Sequence, residues 1–207
     1  MAEFTFYTVA MSRGQIARWA LHEAGADYDQ VVFNWETRPE NFRHINPMNK
    51  VPALVHHLGG KDHVVTECAA ICHYLAEAHP QAGLLPEPHE KAAYFRWLFF
   101  AAGPMEQAVV AKAMGWEVPE GRSGMAGFGS LELTLNAIDG WLSATDYAAG
   151  DRFTMADVYL GSQFIWGLRF GSIPERPSFR AYVDRLVARP RYREGLAIDE
   201  ALIKGAS

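Results

Sequence analysis

The first eighty residues alternate between two hydrophobic periods. Glu3 to Thr8 (EFTFYT) places aromatic residues at every second position, the period of a strand with one face turned inward. Ile16, Trp19, Ala20 and Ala24 then recur at helical spacing before Gly25, which predicts a helix. Tyr28 to Phe33 (YDQVVF) is rich in β-formers, Pro39 to Ile45 reads as a short helical or irregular piece, and Pro52 to His56 (PALVH) is strand-like. The turn-rich LGGKD leads to His63 to Val65, so two strands around a Gly-Gly turn are expected to form a hairpin. Ile71, Cys72, Leu75 and Ala76 share one face of a helix from Cys68 to Ala78. The predicted order is βαβ, an irregular connection, then ββα.

After this the period changes. Residues 80–89, with prolines at 80, 86 and 88, read as a linker. Beyond it only helical spacing recurs: a long aromatic-rich helix from Lys91 to Ala113, interrupted at Gly103-Pro104, another carrying Leu131, Leu135, Ile138 and Leu142, and two more over Thr154 to Phe170 and Ser178 to Ala188. The division expected is an α/β domain over 1–79 and an all-α domain over 90–207.

Composition narrows the classes. Charged and polar residues interrupt every apolar run well before a membrane span, and no basic leader with an apolar core opens the chain, so a cytoplasmic protein without a membrane partner is expected. A net charge of -5 over 207 residues argues against nucleic acid, which demands a concentrated positive face. Arg176, Arg180, Arg185, Arg189, Arg191 and Arg193 crowd together, but Asp184 and Glu194 interrupt them and Val183, Leu186 and Val187 recur among them, as on a solvated helix.

Several short motifs carry candidate chemistry. In INPMNKVPAL, Pro52 opens a strand, and a cis bond after Val51 would turn the chain so that Val51 presents its backbone N–H and C=O outward, where an extended peptide could pair. TEC precedes a helix whose first-turn N–H groups could hold a carboxylate at Cys68 while Glu67 takes an amine; the simpler alternative is that Thr66 or Glu67 caps the helix. Cys68, Cys72 and His73 make a poor metal set, because residue 73 points about 100 degrees away from the shared face of 68 and 72, and no second ligand pair occurs. A redox dithiol also fits poorly with three intervening residues, which leaves Cys72 as a small buried hydrophobe. Ser12 and Gln15 fit a capping box, with Met11 against Ile16 as staple, yet a hydroxyl at a helix N-terminus is also placed to stabilise an anion, and Tyr7 is the other hydroxyl near by. Thr154 and Asp157 repeat the box, with Phe153 and Val158 as staple, as a folding device. The glycine-rich Gly124 to Gly129 lacks the strand and lysine of a phosphate loop.

In this order and spacing, FYTVAMSRGQIARWALHEAG, NPMNKVPAL, TECAAICHYLAE, the proline-bearing linker, GDRFTMADVYL and ARPRYREGL resemble a cytosolic glutathione transferase, most like the bacterial theta-like, serine-using branch. The resemblance implies a thioredoxin-like N-terminal domain that binds glutathione, an all-α C-terminal domain that supplies a second-substrate site, and a homodimer. It implies that Val51, beside a cis Pro52, pairs with the cysteinyl part of glutathione, that Glu67 and Cys68 hold its γ-glutamyl end, and that Lys50 approaches its glycine carboxylate. A hydroxyl would donate to the sulfur and stabilise the thiolate. Ser12 falls where serine-type members carry theirs and Tyr7 where tyrosine-type members do; Ser12 is favoured because the helix dipole adds to it. Asn49 stands where many members have glycine, and Cys68 where serine or threonine is common. The second site, for a small hydrophobic electrophile, would be lined from Met11, Phe99, Met105, Met114, Trp116, Trp166 and Phe170, each of which also fits ordinary core. A glutathione-dependent peroxidase, dehalogenase or disulfide reductase, and a non-catalytic glutathione-binding protein, are the alternatives. Glutathione is the co-substrate expected, with no metal.

Overall fold

The computed structural model describes residues 2–205. Its four-stranded sheet runs in the order β2-β1-β3-β4, with β1 (Phe4–Thr8), β2 (Tyr28–Val32), β3 (Ala53–Leu58) and β4 (Lys61–Thr66). β1 and β2 are parallel and joined through α1 (Gly14–Ala24); β1 pairs antiparallel with β3, and β3 with β4. Alternation in β1 turns Phe4, Phe6 and Thr8 into the core, while Thr5 and Tyr7 stay half-buried. The β3–β4 hairpin closes through Gly59 and Gly60, with φ of 61° and 75°, the left-handed pair that a two-residue turn matching strand twist requires. The piece read over Pro39 to Ile45 is a short helix, α2 (Phe42–Ile45), and β4 passes into α3 (Cys68–Ala78).

The later chain is helical. α4 (Lys91–Phe100) runs into a π-helical turn, Ala101–Met105, and then α5 (Glu106–Met114); the irregularity falls at Gly103-Pro104, where proline removes a helical hydrogen bond. α6 (Leu131–Leu142), α7 (Met155–Phe170) and α8 (Pro177–Val187) follow, and buried Trp97, Tyr94, Ile138, Phe164, Phe179 and Tyr182 fill their core.

A final helix, α9 (Pro190–Gly205), packs on α1. The chain therefore divides into Met1–Leu85 with Ala188–Ser207, and Pro86–Val187. This differs from a helical domain running unbroken over 90–207. The cause is an anchoring set on α9: Asp199 bonds Arg18 Nε at 2.7 Å, Arg189, just before the helix, forks onto Glu23 at 2.7 and 2.8 Å, and Tyr192 meets Trp19 edge-on at 5.0 Å.

Candidate functional site

Strand register brings the singled-out segments to one end of the sheet. Ala53 lies opposite Tyr7 on one side and Thr66 on the other, so the loop after β1, the start of β3 and the start of α3 converge there. Tyr7 and the loop residues 9–14, Val51-Pro52, and Glu67-Cys68 are each within a few positions of that level. Cys68 closes the arrangement: its Sγ donates to the Arg13 carbonyl at 3.3 Å, which ties the N-terminus of α3 to that of α1. Two helix N-termini, each with a partial positive charge, thus share one neighbourhood.

Ser12 sits at this junction with its hydroxyl engaged. Its Oγ donates to the Val9 carbonyl at 2.6 Å and accepts from the Gly14 N–H at 3.0 Å. The capping box read from the sequence is not formed, because the Gln15 side chain donates to the Ala10 carbonyl at 2.9 Å and the residue at the cap position, Arg13, makes no side-chain cap. Met11 is exposed, not stapled inward against Ile16. Tyr7 faces the other side of the sheet, in an apolar cluster with Val9, Phe33, Phe42 and Ala53, its ring 5.6 Å from Phe42. Burial, with a smaller contribution from Asp62, pushes its phenol above the usual value, so it stays protonated.

Gly14 is fixed by its surroundings. A Cβ there would run into the buried Thr8 hydroxyl and lie 3.1 Å from Ser12 Oγ. Gly14→Ala is therefore expected to cost about 1–3 kcal/mol of stability by overpacking, measured as a lower urea midpoint.

The Val51–Pro52 bond is cis and β3 starts only at Ala53, so Val51 lies outside the ladder. Asn49 takes φ 58°, the left-handed conformation that asparagine tolerates best after glycine. Lys50 is exposed and Pro52 buried. Glu67 also has positive φ, 66°, a conformation that costs a non-glycine residue on the order of 1–3 kcal/mol, and it is exposed. It holds the N-cap position of α3, where its carbonyl accepts the Ile71 N–H at 2.9 Å and its side chain makes no cap hydrogen bond. Cys68 is buried. Cys72 is fully buried, and burial pushes its thiol well above the ordinary range, as suits a core residue. His73 turns toward Glu77 at 3.7 Å, and among the described residues no group of three or more His, Cys, Asp or Glu side chains could hold a metal ion.

The residues proposed for a second site divide. Met11, Phe99, Met114, Trp116 and Phe170 are exposed and Trp166 is half-buried. Met105 is fully buried inside the helical core and offers no surface to a ligand, which corrects its place in that set. Asn46 was missed by the sequence reading, although asparagine before proline is a turn signal. It is 4% exposed and its side chain holds the loop that leads to Val51.

Residues 2–77 match the family model described as glutathione S-transferase, N-terminal domain, and residues 99–190 the one described as glutathione S-transferase, C-terminal domain. Maleylacetoacetate isomerase of Rattus norvegicus is 33% identical over 165 residues, 74% of this chain and 72% of that protein. The chain belongs to the glutathione S-transferase family. Among solved structures, this family member is similar to a glutathione transferase from Methylococcus capsulatus, with a TM-score of 0.78 and 26% identity over 96% of this chain and 99% of that one. A sphingomonad glutathione S-transferase complexed with glutathione gives a TM-score of 0.75 at 25% identity, over 95% and 98%. These glutathione S-transferase neighbours span both compact units, in agreement with a thioredoxin-like sheet followed by helices.

Proposed function

We propose that the chain binds glutathione at the sheet end described above and holds its sulfur as a thiolate for attack on a hydrophobic electrophile. The observation that carries this reading is the Cys68–Arg13 link, which gathers two helix N-termini beside the Ser12 hydroxyl. In this assignment the backbone of Val51, next to cis Pro52, pairs with the cysteinyl unit. The backbone N–H groups at the start of α3 and the Glu67 carboxylate take the carboxylate and amine of the γ-glutamyl end, and Lys50 faces the glycine carboxylate.

Ser12 is assigned as the thiol activator. The Gly14 N–H polarises its oxygen, and a turn about the Cβ–Oγ bond moves the proton from the Val9 carbonyl to the sulfur. A hydrogen bond to a charged group is worth about 1.5–3 kcal/mol, so Ser12→Ala is expected to lower the thiolate fraction of bound glutathione by roughly 10- to 100-fold, with Tyr7→Phe close to wild type. Ultraviolet difference absorbance of the thiolate reads this directly. Normal thiolate in Ser12→Ala would sink the assignment, and failure of the wild type to be retained on immobilised glutathione would sink the whole reading.

A second reading rests on the rat relative's name. A thiolate that adds to the double bond of an unsaturated acid and then leaves would isomerise it and regenerate glutathione, which needs no leaving group on the substrate. Turnover of maleylacetoacetate with no net loss of glutathione favours isomerisation; net thiol loss with electrophiles favours conjugation. A cytoplasmic homodimer belongs to the same proposal.

A further inference from the structure

Asn46 places every hydrogen-bonding group it has on one short stretch of chain. Its Nδ2 donates to the Lys50 carbonyl at 2.7 Å and its Oδ1 accepts the Met48 N–H at 3.0 Å. Its backbone N–H donates to the carbonyl of Phe42, the first residue of α2, at 2.8 Å, and its carbonyl accepts the Asn49 N–H, also at 2.8 Å. Asn46 itself is 4% exposed, so both side-chain bonds are part-buried even though Met48 and Lys50 are exposed. The Lys50 carbonyl and the Val51 N–H belong to one planar peptide unit. Fixing the carbonyl toward Asn46 therefore aims the Val51 N–H away from the loop interior. Asn49, held at positive φ by its own bond to Asn46, is part of the same clamp.

We infer that Asn46 is a positioning residue for glutathione: without touching the ligand, it sets the direction of the Val51 amide and so controls affinity for the peptide backbone rather than thiolate chemistry. The inference rests on the function proposed above. Asn46→Asp keeps the volume and the acceptor for Met48 but sets an oxygen against the Lys50 carbonyl; Asn46→Ala removes both bonds.

The test measures glutathione binding by calorimetry, and KM and kcat with a conjugation substrate, for the wild type and both variants, alongside thermal melts. The expected result is glutathione bound about 10-fold more weakly and KM raised to match, with kcat at saturating glutathione within about 2-fold of wild type. Asn46→Asp supplies the result if Asn46→Ala does not fold, since it retains half of the clamp. Folded variants with unchanged affinity overturn the role of Asn46 alone, and so does a fall in kcat at constant KM. A wild type that binds no glutathione overturns the proposed function, and this inference with it.

Discussion

Asp157→Ala is expected to lower stability by about 4–6 kcal/mol, approaching the whole margin of a typical domain. The carboxylate lies fully buried at the start of α7 and accepts four hydrogen bonds: from Ala148 N at 2.7 Å, Thr154 N at 2.8 Å, Thr154 Oγ1 at 3.1 Å and Tyr182 Oη at 2.8 Å. Alanine would strand those donors in a dry interior, each at about 1–3 kcal/mol, with part of the sum recovered by relaxation. The box read from the sequence is formed, and it also ties in α8 through Tyr182, so its loss reaches beyond the end of one helix.

The same group gives a pH signature. Burial outweighs the four donors and pushes the Asp157 pKa from 3.8 to about 6. A carboxyl whose folded pKa is raised contributes stability that is complete below its unfolded value and lost as pH rises through the folded one. Asp157→Asn lacks this titration, so the advantage of wild type over Asp157→Asn should shrink by about 2 kcal/mol between pH 4.5 and 7.5, some 1.5 pH units at 1.36 kcal/mol each. Urea unfolding at the two pH values measures it. A constant difference would show that the carboxylate is held ionised throughout.

What the sequence discloses depends on whether a residue's burial follows its chemistry. β1 and α1 were legible because Phe4, Phe6, Ile16 and Trp19 are apolar and buried together, and the hairpin because Gly59-Gly60 marks its turn. α9 was not: the positions it buries most deeply are Gly195 and Asp199, neither of which marks a hydrophobic period. At the site, the proline-bearing segment announced itself, but the conformation of Glu67 did not, since positive φ is read from glycine and Glu67 has a side chain. Ser12 was placed correctly at a helix start and misassigned to a box, because local spacing could not show that the loop turns the Gln15 amide toward Ala10.

Arg18 shows the same limit with a larger consequence. Its guanidinium is fully buried, bonded through Nε to Asp199 at 2.7 Å and through Nη1 to Gln30 at 2.8 Å and Tyr28 at 3.1 Å, and it lies 5.2 Å from the Phe6 ring centre. Arg18→Met is expected to cost about 3–5 kcal/mol, because it leaves the Asp199 carboxylate, 2% exposed, without its counter-ion. Burial already holds the Asp199 pKa above its ordinary value despite the attraction of Arg18, so its ionisation weakens the fold as pH rises through that pKa. With Arg18 removed that slope must steepen, and the deficit of Arg18→Met should be smallest in acid. Arg18→Met combined with Asp199→Leu removes both charges, and also the buried Nη2 that finds no hydrogen-bond partner among the described residues. The pair should therefore recover most of the loss, with α9 still seated on α1. Urea unfolding followed by tryptophan fluorescence, with Trp19 edge-on to Tyr192, reports that docking. A double variant no more stable than Arg18→Met would show that the charge pair specifies the seating of α9 instead of merely neutralising itself.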